Sequence, residues 1–75
     1  MADTTLDTKG LNRPLPSLRA KKAIAETPGG GTLEVLATDP GSVPDFKAFC
    51  AAGGHTLLEQ TEVGGIFRFL IRRAA

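Results

Sequence analysis

Two prolines one residue apart constrain this chain more than any other feature. They open the stretch Pro14-Leu15-Pro16-Ser17-Leu18-Arg19-Ala20-Lys21-Lys22. Proline lacks a backbone N–H and fixes φ, so a helix tolerates it in the first turn, where N–H groups have no intrahelical partner. Arg13 then reads as the N-cap, with Pro14 at N1 and Pro16 at N3. The N–H groups of Leu15 and Ser17 stay free at the positive end of the helix dipole. Such a position favours an anion or an activated thiolate, yet the sequence places Arg13 there.

The helix that follows reads as residues 14–27. At about 100° per residue, Ser17, Ala20, Ile24 and Thr27 share one face with Ala23 at its edge. Leu15 and Leu18 fall elsewhere, beside Arg19 and Lys22. They either pack on neighbouring loops or form an exposed apolar patch with a basic rim, as on a partner-docking surface. Pro28-Gly29-Gly30-Gly31 ends the helix in a turn.

Short strands bracket this helix. Met1 to Thr4 reads as an irregular start, and residues 5–8 alternate as a strand. In 32–38, Leu33, Val35 and Ala37 point one way. A strand, a helix and a strand imply a parallel pair. Asp39-Pro40-Gly41 is a turn. Ser42 reads as an N-cap with Asp45 three residues on, and Val43, Phe46, Phe49, Cys50 and Gly53 line one helical face. Residues 55–61 form a third strand, with Leu57 and Leu58 on opposite faces. A turn around Val63-Gly64-Gly65 leads to strand 66–72, where Phe67, Phe69 and Ile71 face inward and Arg68 and Arg72 outward. The expected fold is α/β, a two-layer sandwich of order β-α-β-α-β-β, with two helices on one face of a four-stranded mixed sheet. Residues 1–75 form one domain.

Composition limits the chemistry. At 75 residues the chain buries only about 60% of its unfolded surface. One cysteine, Cys50, excludes an internal disulfide and a multi-cysteine zinc site, so no metal and no cofactor is expected. Cys50 lies on the apolar helix stripe and reads as a small buried hydrophobe. No apolar run approaches the roughly 20 residues that span a bilayer, and residues 1–10 lack a signal-peptide pattern, so a cytoplasmic protein without membrane contact is expected. Net charge is +1 and Trp and Tyr are absent. The basic residues Arg68, Arg72, Arg73 and Arg19-Lys21-Lys22 therefore read as solvated surface, and direct nucleic-acid binding is not expected. His55 stands alone in a structural or solvent-facing position. Ser17 and Ser42 read as helix-start residues, and the acids are scattered.

On these residues the chain resembles the TusA/SirA-like family of small sulfur carriers. The resemblance rests on the Leu6-Asp7 strand, Gly10-Leu11, and Pro14-x-Pro16 with Leu18-Arg19-Ala20-Lys21-Lys22. It continues through Gly31-Thr32-Leu33, Thr38-Asp39-Pro40, Phe49-Cys50, Gly53-x-His55 and residues 67–72. It implies the same two-layer sandwich and a Cys-Pro-x-Pro motif. In that motif a cysteine takes sulfane sulfur as a persulfide from a cysteine desulfurase or another sulfurtransferase. It then passes the sulfur on, for tRNA 2-thiouridine formation or sulfur metabolism. A thiol at a helix N-cap has its thiolate favoured by the dipole. Here Arg13 occupies the cysteine position, and arginine cannot carry a persulfide.

Two functional expectations follow. One is a non-catalytic member of the family that docks a desulfurase, sulfurtransferase or sulfur acceptor through Leu15, Leu18, Arg19 and Lys22. The other is an anion- or protein-binding regulatory module. There Arg13 and the N–H groups of Leu15 and Ser17 form the pocket, with Arg19 and Lys22 nearby.

Overall fold

The computed structural model describes residues 2–74, so the reading of Met1 lies outside the described residues. Six elements follow one another: β1 (Thr4–Thr8), α1 (Leu15–Glu26), β2 (Thr32–Ala37), α2 (Ser42–Gly53), β3 (Thr56–Val63) and β4 (Ile66–Arg72). The order and class agree with the sequence reading. The sheet runs β1-β2-β4-β3, with β1 and β2 parallel and the other pairs antiparallel.

Alternation decides which side of each strand is buried. Leu33, Val35 and Ala37 on β2 and Phe69 and Ile71 on β4 point to one face and are buried there. Val35 lies opposite Phe69, and Leu33 opposite Ile71, so the two strands present one apolar surface. α1 adds Ala20, Ala23 and Ile24, and α2 adds Phe46 and Cys50, to the same cluster. Both helices therefore lie on one face. Phe46 stacks on Phe69 with ring centroids 4.6 Å apart and meets Phe49 edge-on at 6.0 Å.

The face read on α1 is buried in part: Ala20, Ala23 and Ile24 are in the core, Pro16 is buried with them, Thr27 is buried just after the helix, and Ser17 is half-buried. Leu15 and Leu18 do not pack on loops; they are 43% and 56% exposed. Gly64 and Gly65 both have positive φ, 59° and 79°, as a two-residue hairpin turn between β3 and β4 requires.

Several boundaries differ from expectation. α1 begins at Leu15 with Pro14 as its N-cap residue, so Pro16 sits at the second helical position rather than the third. The cause is a turn before the helix: the Leu15 N–H donates to the Asn12 carbonyl at 3.0 Å. α2 is preceded by Gly41, and Ser42 is its first residue. The Ser42 hydroxyl is buried without a hydrogen-bond partner, so it caps nothing. Thr4 belongs to β1, and β3 continues to Val63. A bulge between Leu57 and Glu59 displaces Leu58 from simple alternation.

A core this small concentrates its stability in a few side chains. Phe69→Ala should cost about 3–5 kcal/mol in urea-melt stability, enough to leave much of a domain of this size unfolded at 25 °C. A loss below about 1 kcal/mol would mean the Phe46–Phe69 contact is not central to the core.

Candidate functional site

Parallel β1 and β2 end side by side, and the loops that leave them meet. Ligand sites in α/β sheets form at such carboxyl ends. The Gly10 N–H donates to Thr38 Oγ1 at 2.9 Å. Asp39 then ties the loops together. Its carboxylate accepts the Arg13 N–H at 2.7 Å and the Gly41 N–H at 2.9 Å. These two bonds, the Arg13 one first, hold the Asp39 carboxyl below its ordinary pKa.

The Arg13 side chain crosses from the α1 loop to α2. Its Nε donates to Asp45 Oδ2 at 3.0 Å and its Nη2 to Asp45 Oδ1 at 2.8 Å. This is a two-point guanidinium–carboxylate pair. Arg13 is 63% exposed along its side chain, and Asp45 only 17%. The hydrogen bond and charge of Asp45 raise the Arg13 pKa further, so the cation is permanent. Gly41 makes room for it: a Cβ there would sit 2.7 Å from Arg13 Cδ. The Arg13–Pro14 peptide bond is cis.

The site is therefore arranged differently from the sequence reading. Arg13 is not the N-cap, and its guanidinium is turned onto Asp45. Of the two N–H groups read as free, that of Leu15 is bonded to Asn12. That of Ser17 has no partner among the described residues, and the Ser17 hydroxyl donates back to the Pro14 carbonyl at 3.0 Å.

A shallow groove runs between α1 and α2. Arg13, Pro14, Ser17, Leu18 and Lys21 line one side, and Asp45, Ala48 and Phe49 the other. Arg19 and Lys22 are not there. They flank a separate depression with Leu6, Ala23 and Glu26 toward β1. The structure thus divides the expected docking set. Pro14, Ser17 and Leu18 join Arg13 on the groove, and Arg19 and Lys22 lie across the helix. Leu15 is exposed at the start of α1.

Sequence reasoning missed Asp45, Lys21 and Phe49 as neighbours of Arg13. Lys21 was open to discovery, because Ser17, Leu18 and Lys21 are three and four residues apart on one helix. In the sequence Asp45 reads as part of a capping pattern, and only tertiary packing turns it toward Arg13.

Cys50 is 4% exposed inside the core. Burial pushes its thiol pKa up, which disfavours the thiolate. His55 stacks on Phe49 with centroids 5.6 Å apart, and its Nδ1 accepts the Ala74 N–H at 2.9 Å. It ties the backbone at Ala74 to α2. Among the described residues, no group of His, Cys, Asp and Glu side chains is placed to hold a metal ion, and no helix is long and apolar enough to cross a membrane.

The chain as a whole has relatives among known proteins. A family model described as "Sulfurtransferase TusA" matches residues 4–73. The chain is 53% identical over 72 residues to the sulfur carrier protein TusA of Allochromatium vinosum, covering 96% of this chain and 95% of that protein. It is 50% identical over 72 residues to a putative sulfur carrier protein of Neisseria meningitidis serogroup A, covering 96% and 97%. In the crystal structure of a SirA-like protein from Desulfitobacterium hafniense, the fold matches with a TM-score of 0.83 at 27% identity, over 96% of this chain and 99% of that one.

The buried thiol gives a pH-dependent prediction. The fold raises the Cys50 pKa, so its contribution to stability is complete below the unfolded thiol value, about 8.5. It declines as pH rises toward and through the folded value. Cys50→Ala should remove that part of the alkaline loss in denaturant melts. In the native protein Cys50 should react with a thiol reagent at neutral pH only as fast as the fold opens. Immediate labelling under native conditions would show that the thiol is reachable.

Proposed function

The chain belongs to the TusA family of sulfurtransferases, and from that premise we propose that it is a non-catalytic homologue that docks sulfur-transfer proteins without relaying persulfide itself. The partner is a cysteine desulfurase, or another sulfurtransferase or sulfur acceptor. The setting is cytoplasmic sulfur traffic of the kind that serves tRNA 2-thiouridine formation or sulfur metabolism.

Sulfur relay is a displacement. An acceptor thiolate attacks the terminal sulfur of the donor's persulfide, a new S–S bond forms, the old one breaks, and the donor leaves as a thiolate. The acceptor must bring a sulfur nucleophile to the partner's active site. One observation carries the reading: position 13, ahead of Pro14-x-Pro16, holds a guanidinium fixed on Asp45, and the sole cysteine is buried at 4% exposure. The Arg13 guanidinium has no free lone pair with which to attack sulfur, and Cys50 lies in the core, where it is not presented to a partner. Leu15 and Leu18, exposed beside this position, supply apolar docking surface.

The alternative is a regulatory module that binds a small anion at residues 13–17. Asp45 occupies Nε and one Nη2 donor of Arg13, and Asn12 occupies the Leu15 N–H. That leaves the Ser17 N–H and the outer edge of the Arg13 guanidinium as donors for such an anion.

Incubation with a cysteine desulfurase and cysteine, followed by intact mass, separates the possibilities. The native chain should gain no sulfur, and Arg13→Cys should gain one sulfur atom at residue 13. Sulfur on Cys50 of the native chain would overturn the non-catalytic reading. A native chain that binds neither the desulfurase nor another sulfur-transfer protein, with an Arg13→Cys variant that gains no sulfur, would overturn the docking reading.

A further inference from the structure

The groove between α1 and α2 has a chemistry of its own. A guanidinium carries five N–H donors in one plane. Asp45 takes two of them, through Nε and Nη2. Three remain, two on Nη1 and one on Nη2; one hydrogen from each nitrogen forms the end fork of the guanidinium, which Asp45 leaves free. The side chain is 63% exposed. Arg13 is thus gripped at three points: by Asp45, by Asp39 at its backbone N–H, and by close packing of its Cδ over Gly41. An arginine held this way presents its second edge in a fixed direction, so little side-chain freedom is lost when that edge is used.

Charge narrows what that edge receives. Arg13 and Asp45 cancel, and Lys21 is the other ionised residue lining the groove. The lining thus carries one net positive charge, with the Asp39 carboxylate behind it on the Arg13 backbone N–H; this suits a monoanion better than a phosphate dianion, which both carboxylates repel. The remaining walls are largely apolar, with Leu18 on the α1 side and Phe49 on the α2 side. An open groove buries little of a free small ion, but it can accept an apolar residue from an extended or helical segment.

We propose that this groove receives an acidic segment of a partner protein, with a side-chain carboxylate on the outer edge of Arg13 and an adjacent apolar residue against Leu18 and Phe49. The inference rests on the docking role given above and specifies its chemistry. Asp45 is a positioning residue here, because it orients the guanidinium that makes the contact.

Two blocked peptides test this by NMR on isotope-labelled protein: one with a single glutamate between two leucines, and its glutamine counterpart. The glutamate peptide should shift the Arg13 Nε–H and the Leu18 and Phe49 amides saturably, and bind at least about fivefold more tightly than the glutamine peptide. Arg13→Gln and Arg13→Lys should both abolish that preference, because neither side chain offers the fork. Sodium phosphate should leave these signals in place at matched concentration. Equal binding of the two peptides, tighter binding of phosphate, or no shift up to about 5 mM peptide overturns the proposal. If the peptides fail while Arg13→Cys accepts sulfur from a desulfurase, the docking role stands and the carboxylate contact falls.

Discussion

The stacked pair Phe46 and Phe69, 4.6 Å apart and both fully buried, is the contact on which this small structure turns. It fixes α2 on β4 in the middle of the apolar surface made by β2 and β4. A chain of 75 residues has few such contacts, so α2 has little freedom to slide. Asp45 precedes Phe46 by one residue, about 100° around the helix. Fixing Phe46 in the core therefore aims Asp45 at the edge of the helix, toward the loop that carries Arg13. The core contact and the surface ion pair have one cause.

That loop is held from both sides. Asp39, at the end of β2, binds the Arg13 backbone, and Asp45, at the start of α2, binds its side chain. Neither contact needs a thiol at position 13. The double-proline helix start, the exposed leucines and the meeting of two loops at the carboxyl ends of β1 and β2 form a surface on which a family carrier would present its sulfur. In this chain the same frame presents a cation in a fixed orientation, while the one cysteine is in the core. On the docking role proposed above, the chemistry left to it is recognition.

Much of the fold was legible in the sequence because its signals are local. Strict alternation in residues 66–72 marks β4, glycine pairs mark the turns, and Pro14-x-Pro16 marks where α1 starts. The two glycines between β3 and β4 provide the positive φ that the hairpin needs. The misread boundaries sit where a hydrogen bond from outside the element intervenes. The Leu15 N–H turns back to Asn12, so the helix starts one residue later and Pro14 takes the capping position. The site was less legible than the fold. Arg13, Pro14, Ser17 and Leu18 were found from the motif, but Asp45 is 32 residues from Arg13 in sequence and reads locally as an ordinary first-turn acid. Arg19 and Lys22 looked like neighbours of Arg13 along the chain, and the helix turns them toward β1 instead.

The role proposed for this chain is to engage sulfur-transfer proteins while taking no sulfur. The most direct measurement is transfer of radiolabelled sulfur from a cysteine desulfurase to a family carrier that keeps its motif cysteine, with increasing amounts of this chain present. Transfer should slow as the chain is added, and the chain itself should stay unlabelled. Label appearing on this chain, or a transfer rate indifferent to its presence, would contradict the account.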